Sequence, residues 1–333
     1  EISECLVGSE MCIRDRLPLA RDLVKRQDAA GLRVVFGSVP DTLSQLIRTA
    51  FVAAPGRTLV DADFSAIEAR VVAWLAGEEW VLEVFRTHGK IYEATASQLY
   101  GVPMERIKKG NPEYSLRQYG KAATLALGYA GGAPALITAG HLPKDTPEDE
   151  LIDIRDRWRN ANPAIVQFWY TVEAAAREAV EHGRRVELNG GRLVFAYEMD
   201  VNNDFLTIQL PNGRKLYYAH PHMGVNRFGR PAVCYWGVNQ KSHKWEVIET
   251  YGGRLTENIT QAAARDCLAE AIDRLEAAGY PVVFHIHDEV VIDAPPGRDS
   301  LEEVINIMRQ VPSWAEGLPL NADGWVNPFF KKD

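Results

Sequence analysis

The sequence lacks the features of a membrane protein and of a disulfide-bonded scaffold. It has no apolar run that approaches the roughly 20 residues of a membrane-spanning helix. Its four cysteines lie far apart, and no two of them form a C-x-x-C pair. This spacing argues against a disulfide framework or a zinc knuckle, and it predicts a protein of the reducing cytoplasm.

The sequence also lacks an excess of positive charge. The formal net charge is −8, which is unfavourable for a protein that binds the phosphates of a nucleic acid. The basic residues are nevertheless clustered at Arg106 to Lys109, Arg117 with Lys121, Arg184 with Arg185, Arg214 with Lys215, and Lys331 with Lys332. Acidic residues dominate positions 148–156, which are predicted to be the solvated face of a helix. Charge alone therefore leaves the partner open.

Hydrophobic periodicity divides the chain into five stretches. Residues 1–16 show no clear period and are predicted to be a non-native or disordered tail without a signal peptide. Residues 17–77 combine helices with one strand, and residues 78–185 are helical. A period of two with turn signals predicts strands in residues 186–252. Residues 253–333 begin with a long helix and continue with a strand pair, so the whole pattern predicts an α+β fold.

Two aspartates stand at predicted strand ends. Asp63 follows a strand and precedes a helix, while Asp288 lies at the turn of a short hairpin whose turn is predicted at Asp288-Glu289. If they meet in space, their like charges are unfavourable unless a cation lies between them. Hard oxygen ligands prefer Mg²⁺ or Mn²⁺, and two such ions can activate a hydroxyl and stabilise a leaving pyrophosphate. Taken alone, each Asp favours a plain turn-forming role.

A helix near residues 115–129 carries two cations one turn apart. Arg117, Lys121, Leu125 and Tyr129 follow at intervals of four and are predicted to share one broad face. Arg and Lys in this arrangement can bind a chain of phosphates. An ordinary solvated basic face remains the alternative.

Two further patterns have both a structural and a functional interpretation. Ser65-x-x-Glu68 matches a capping box at a helix start, while Glu68 also suits a position beside an incoming sugar, where it would exclude a 2′-hydroxyl. The pair His285-x-His287 is compatible with a metal site, but no cysteine or further histidine lies nearby in the sequence, which disfavours zinc.

Taken together, these segments resemble family A DNA polymerases, meaning bacterial DNA polymerase I and its bacteriophage relatives. Three signatures occur in the family's order: residues 63–70 (DFSAIEAR), Arg117-x-x-x-Lys121 followed by Gly128-Tyr129, and His287-Asp288-Glu289. Residues 116–132, 317–320 and 322–324 look most similar to phage members. The resemblance covers residue 17 to the C-terminus and implies a right-hand palm sheet formed from residues 17–77 and 253–333, with mostly helical fingers at 78–185 and a β-rich insert at 186–252.

The resemblance implies an active site for template-directed DNA synthesis. Asp63 and Asp288 would hold two Mg²⁺ ions, with Mn²⁺ as the alternative. Glu289 would support this metal site without binding the ions directly, and His287 would touch the primer end. The substrates would be dNTPs and the partner primer–template DNA, in a bacterial or phage-infected cell; no membrane is implied, and no processivity factor is indicated.

It also implies a nucleotide-binding surface. Arg117 and Lys121 would bind the triphosphate, with Lys121 placed to protonate pyrophosphate, and Tyr129 would close over the base pair. Glu68 would be the steric gate against ribonucleotides. Gln261 matches the family's reader of the minor groove, where acceptors are nearly the same for every correct pair.

Some positions depart from the family pattern. Leu125 stands where the family has Phe or Tyr, so slower turnover than in aromatic relatives is expected. Ala130 replaces a glycine, which is expected to be a mild change, and Glu257 stands where relatives often have Asn. No thumb or exonuclease segment is identified before Leu17, so the chain is interpreted as an N-terminally truncated fragment with weak DNA binding.

Three alternatives remain. A single-subunit RNA polymerase shares the Arg-x-x-x-Lys helix, but Glu68 and the Asp288-Glu289 pair favour the DNA enzyme. An inactive primer–template-binding fragment predicts retention of DNA without Mg²⁺-dependent extension. A metal-dependent phosphohydrolase would need a water-activating base, and the sequence offers no specific candidate.

Overall fold

The structure is a computed structural model that describes residues 16–140, 142–201, 203–226 and 228–331. The predicted tail at 1–16 lies outside these residues except for Arg16. The chain divides into two compact units. In the described part, the first unit contains residues 16–65, 271–309 and 321–331, and the second contains residues 66–270 and 310–320.

Helices and strands occupy largely separate stretches of the chain. The helices are α1 (Leu17–Lys25), α2 (Ala29–Phe36), α3 (Val39–Leu46), α4 (Ile67–Ala76), α5 (Glu79–Thr87), α6 (Ile91–Tyr100), α7 (Leu116–Leu127), α8 (Ala133–Thr138), α9 (Glu148–Ala161), α10 (Pro163–His182), α11 (Gly252–Ala277) and α12 (Leu301–Met308). The strands are β1 (Thr58–Phe64), β2 (Val186–Leu188), β3 (Leu193–Asp200), β4 (Asn203–Gln209), β5 (Lys215–Val225), β6 (Pro231–Val238), β7 (Trp245–Glu249), β8 (Val282–Ile286), β9 (Glu289–Ala294) and β10 (Ala322–Asn327). The composition is α+β.

The first unit is built on a four-stranded antiparallel sheet in the order β10-β1-β9-β8. Strand β1 is central, and four consecutive residues from Leu59 to Ala62 are buried. Because the strand is covered on both faces, Asp61 is buried along with its apolar neighbours. Helix α12 packs against β1 and β10 and covers one of these faces.

Three short helices form a separate small core in the first unit. Helices α1 to α3 bury Ala20, Leu32, Phe36 and Leu46 against one another. Helix α3 begins two residues earlier than the Asp41-Thr42 start predicted from the sequence. The hydroxyl group of Ser38 caps it by accepting a hydrogen bond from the backbone N–H of Asp41 at 3.4 Å.

The helical part of the second unit is centred on stacked indole rings. Trp158 of α9 and Trp169 of α10 lie nearly parallel, with ring centroids 6.2 Å apart. The buried carboxylate of Glu78 accepts hydrogen bonds from the backbone N–H groups of Ala164 at 2.9 Å and Ile165 at 3.3 Å. Glu78 thus caps the N-terminus of α10, where the helix dipole favours a negative charge.

The second unit also contains a six-stranded antiparallel sheet. Its strands follow one another in chain order from β2 to β7. The turns predicted at Asn189-Gly190-Gly191 and Pro211-Asn212-Gly213 contain glycines with positive φ, as tight turns require. Helix α10 contacts this sheet along β2 to β6.

No helix among the described residues combines the length and the apolar character needed to span a bilayer.

Candidate active site

Asp63 and Asp288 meet at one end of the first unit's sheet. The backbone N–H of Phe64 donates to the carbonyl oxygen of Asp288 at 3.2 Å, which brings the two aspartates together. Their carboxyl groups share a hydrogen bond. Loss of water contact, followed by repulsion from Asp288 and Glu289, raises the pKa of Asp63 to about 7. Burial likewise raises the pKa of Asp288, although the hydrogen bond with Asp63 and the nearby His287 oppose this shift.

Strand pairing places two more carboxylates beside Asp63. Glu289 of β9 and Asp323 of β10 are its direct partners on the two neighbouring strands, and both raise its pKa. Asp323 was noted in the sequence only as part of a phage-like ending, without a role. The pattern Asp323-Gly324-Trp325 near the C-terminus is typical of a short strand, and it was the only sequence feature that could have indicated this position. Gly324 permits this pairing, because a Cβ there would overlap the carbonyl oxygen of Asp61.

This arrangement fits a divalent cation. The pKa of both carboxyl groups is raised, and a cation between them would stabilise each in its charged form. Both donors are hard oxygens, which Mg²⁺ and Mn²⁺ prefer. Within residues 16–140, 142–201, 203–226 and 228–331, no group of three or more His, Cys, Asp or Glu side chains has a metal-holding arrangement. The candidacy of the Asp63–Asp288 pair rests on its two adjacent hard oxygen donors.

The turn of the hairpin lies one residue earlier than predicted. Strand β8 ends at Ile286 and β9 begins at Glu289, so His287 and Asp288 form the turn. His287 has φ of +52°, in the left-handed region that histidine adopts more often than most residues. The predicted turn at Asp288-Glu289 is thus wrong, and Glu289 is a strand residue with its neighbours fixed by the sheet.

Arg117 and Lys121 face the same aromatic ring in the second unit. The guanidinium carbon of Arg117 lies 5.2 Å, and the Nζ atom of Lys121 6.0 Å, from the centroid of the Tyr92 ring on α6. Arg117 also donates from Nε to the carboxylate of Glu93 at 2.9 Å. Burial, followed by repulsion from Arg117, lowers the pKa of Lys121. The two cations therefore form one cluster, as predicted.

Close contact between α6 and α7 keeps this cluster in place. A Cβ atom at Gly120 would overlap the carbonyl oxygen of Tyr92 and crowd the backbone nitrogen of Ala96. The glycine therefore lets the two helix backbones touch at the level of Lys121. The hydroxyl groups of Thr95 and Thr124 hydrogen bond across the same interface at 3.1 Å.

Glu68 does not belong to a capping box. Helix α4 begins at Ile67, its N-cap is Ala66 with φ of +51°, and no side chain caps it. The backbone N–H of Ser65 instead donates to the carbonyl oxygen of Asn321 at 2.9 Å, which holds Ser65 in the first unit's sheet region. The exposed carboxylate of Glu68 accepts a hydrogen bond from the hydroxyl group of Tyr129 at 3.2 Å.

Tyr129 lies beyond the end of α7, although a helix to about residue 129 was predicted. The helix ends at Leu127 because Ala130 takes φ of +60° and the chain folds back, so that a Cβ at Gly131 would overlap the carbonyl oxygen of Ala126. Burial, followed by the charge of Glu68, raises the pKa of Tyr129 well above its usual value. Leu125, the departure from the family pattern, is 45% exposed on α7.

Gln261 lies on the exposed side of α11 in the second unit. It lines two adjoining grooves between α11 and strands β5 and β6. Residues of the β-rich segment share these grooves, which was not predicted from the sequence.

Comparisons with known proteins identify the family of the chain. The family model described as DNA polymerase family A matches residues 38–207. A DNA polymerase of Bacillus phage SP02 is 52% identical over 318 residues, which cover 95% of this chain and 48% of that protein. A thermostable DNA polymerase I of Thermus thermophilus is 26% identical over 288 residues, covering 84% of this chain and 28% of that protein. This chain thus spans about half of the phage relative and about a quarter of the bacterial one.

A solved structure has the same fold. It is the POL domain of Pol1 from M. smegmatis in complex with DNA primer-template and dNTP. The TM-score is 0.55 at 20% sequence identity, and the match covers 86% of this chain and 42% of that chain. At this identity the likeness concerns the fold alone, and the α+β polymerase fold predicted from the sequence is confirmed.

Proposed function

Because the chain belongs to DNA polymerase family A, we propose that it transfers nucleotides from dNTPs to the 3′-hydroxyl of a primer paired with a DNA template. The observation that carries this proposal is the contact between Asp63 and Asp288 at the end of β1. The partners are primer–template DNA and dNTPs.

Asp63 and Asp288 would hold the two divalent ions, Mg²⁺ or Mn²⁺. Bound ions of this kind activate the attacking hydroxyl and stabilise the leaving pyrophosphate. The chain itself supplies two carboxyl groups, one near the end of β1 and one in the adjoining turn between β8 and β9, and the negative charges of Glu289 and Asp323 add to the local attraction for cations. His287, beside Asp288 in the turn, would touch the primer end.

Arg117 and Lys121 would bind the triphosphate. Both cations are one helical turn apart, and Arg117 would exchange the carboxylate of Glu93 for a phosphate oxygen. The lowered pKa of Lys121 makes its ammonium group a better acid than an exposed lysine. Lys121 would therefore donate a proton from Nζ to the departing pyrophosphate oxygen.

Substrate selection would depend on Glu68 and Tyr129. Glu68 would occupy the space of a ribonucleotide's 2′-hydroxyl, and the hydrogen bond from Tyr129 would hold its carboxylate there. The ring of Tyr129 would close over the new base pair, with Leu125 on the preceding turn. Gln261 would contact the minor groove of the duplex.

The test is single-nucleotide extension of a labelled primer–template with Mg²⁺, comparing the parent chain with Asp288→Asn. Asp299→Asn is the matched control, since Asp299 is an exposed aspartate of the same unit. We expect extension by the parent and the control, loss of about 10³-fold or more in Asp288→Asn, and a preference for dNTP over rNTP. Binding of DNA by the parent without extension would refute the proposed activity of this chain.

A further inference from the structure

The β-rich segment and helix α11 together bound a polar groove. On α11, Arg254, Asn258, Gln261 and Arg265 are spaced by four, three and four residues, so they form one stripe along the helix. Strands β5 and β6 stand opposite this stripe. Two adjoining grooves of about 500 and 550 Å³ lie between the two walls, and Gln261 lines both.

Two contacts hold the walls together. Asn258 donates from Nδ2 to the hydroxyl group of Tyr218 at 2.9 Å. Arg214, just before β5, donates from Nε to the buried carboxylate of Asp266 at 2.7 Å and from Nη2 to the carbonyl oxygen of Ala262 at 3.0 Å. Because these bonds tie the sheet to two successive turns of α11, the groove has a defined width before any ligand binds.

The groove is basic although the chain is acidic. Four of its lining side chains are basic and one, Glu257, is acidic, while the formal net charge of the chain is −8. The basic residues are Arg214, Lys241, Arg254 and Arg265. Tyr217 and Tyr235 add flat aromatic surface to the sheet wall. Basic side chains together with amide groups suit a nucleic-acid backbone and the edges of its bases.

Lys241 lies on the rim of the groove. It lies in the turn between β6 and β7, where its backbone N–H donates to the side chain of Asn239 at 2.8 Å. Asn239 also donates from its backbone N–H to the carbonyl oxygen of Lys244 at 2.9 Å and accepts from His243 at 2.8 Å. Lys241 lines the groove, whereas Lys244 of the same turn does not.

From these observations we propose that the β-rich segment is the second wall of the primer–template channel, with Lys241 binding a phosphate of the duplex whose minor groove Gln261 contacts. The inference rests on the proposed function, because that function places the duplex along α11. It assigns a role in DNA binding to a segment whose sequence indicated none.

The experiment compares Lys241→Gln with Lys244→Gln, which removes the same charge from the same turn. Binding of a fluorescent primer–template duplex is measured without Mg²⁺ at several salt concentrations, next to the single-stranded template alone. We expect Lys241→Gln to weaken duplex binding about five- to tenfold at 0.1 M salt and to reduce the salt slope by about one. Lys244→Gln and single-strand binding should match the parent.

Equal behaviour of the two variants on the duplex, whether both unchanged or both weakened, would overturn the inference. If the parent extends primers while the two variants bind the duplex equally well, the proposed function stands. Only the role of the β-rich segment as a second wall is then refuted. If the parent neither extends primers nor binds the duplex, the proposed function fails, and the inference fails with it. Thermal melts of both variants confirm that the comparison is made on folded protein.

Discussion

The hydroxyl group of Tyr129 donates a hydrogen bond to the carboxylate of Glu68 at 3.2 Å, and so joins the segment that follows α7 to the first turn of α4. Burial keeps the pKa of Tyr129 well above its usual value, so its hydroxyl stays protonated at working pH. The bond favours the orientation of Glu68 in which its carboxylate faces Tyr129. Glu68 is thus linked to a residue 61 positions away in sequence.

Tyr129→Phe is expected to weaken discrimination against rNTP about tenfold while keeping dNTP extension measurable. The ring remains, but Glu68 loses a hydrogen bond to a charged group, a loss typically of about 1.5–3 kcal/mol. The measurement is the ratio of kcat/KM for dNTP and rNTP. Tyr170→Phe, at an exposed tyrosine of α10, is the control and should keep the parent ratio. An unchanged ratio in Tyr129→Phe would show that Glu68 is held by other contacts.

Asp63→Asn is expected to alter how stability depends on pH. The pKa of Asp63 is about 7 in the folded chain, above its ordinary value of 3.8, so the folded state binds more protons between these pH values. Stability of the metal-free parent should therefore fall as pH rises from about 4 to about 7. In Asp63→Asn this part of the pH dependence disappears, and the variant should melt above the parent at pH 8.

Thermal melts at pH 5 and pH 8 in EDTA test this expectation, with primer extension measured in parallel. The same substitution that raises Tm at pH 8 should abolish Mg²⁺-dependent extension. Parallel pH curves for parent and variant would mean that Asp63 is not in the strained, proton-sharing pair.

Leu125→Phe is expected to raise the single-turnover rate of nucleotide addition about two- to tenfold. An aromatic ring at this exposed position of α7 can stack near the incoming nucleotide, and such contacts contribute about 0.5–1.5 kcal/mol. Rapid-quench kinetics measure the rate. Leu43→Phe, at a leucine of α3 with nearly the same exposure, should leave it unchanged. Identical rates for Leu125→Phe and the parent would contradict the slow turnover inferred from the sequence.

Gly120→Ala is expected to destabilise the second unit by about 1–3 kcal/mol. The added methyl group would overlap the carbonyl oxygen of Tyr92, and two helix backbones must separate to admit it. Gly128→Ala is the control, because the nearest atom to a Cβ there is 3.8 Å away. Denaturant unfolding of both variants measures this effect. Similar midpoints would show that α6 and α7 can move apart without a loss of stability.

The elements with strong local signals were predictable from the sequence. Strand β1, the hairpin of β8 and β9, and most of α7 follow from periodicity and turn residues, which act over a few positions. The order of three short signatures also indicated the family, which the comparisons confirm. A shared position of Asp63 and Asp288 was expected only through the resemblance to that family, since the sequence does not show that β1 pairs with β9.

What escaped prediction depends on contacts distant in sequence or on backbone conformation. Glu78 caps α10 from 86 positions away, and Asp323 reaches Asp63 only through the pairing of β10 with β1. Ala130 was considered a mild replacement of glycine, yet its φ of +60° lies where a side chain costs about 1–2 kcal/mol. The identity of a residue such as alanine does not predict that its backbone adopts a positive φ.

The pairing of Asp63 with Glu289 and Asp323 constrains the number of residues in β1 during evolution. Side chains on a strand alternate between faces, so one residue inserted or deleted before Asp63 would turn its carboxyl group to the opposite face of the sheet. Insertions and deletions are tolerated in surface loops, whereas in β1 only substitutions preserve the position of Asp63. Homologous chains are therefore expected to differ in the residues of β1 but to keep the same number of residues in this strand.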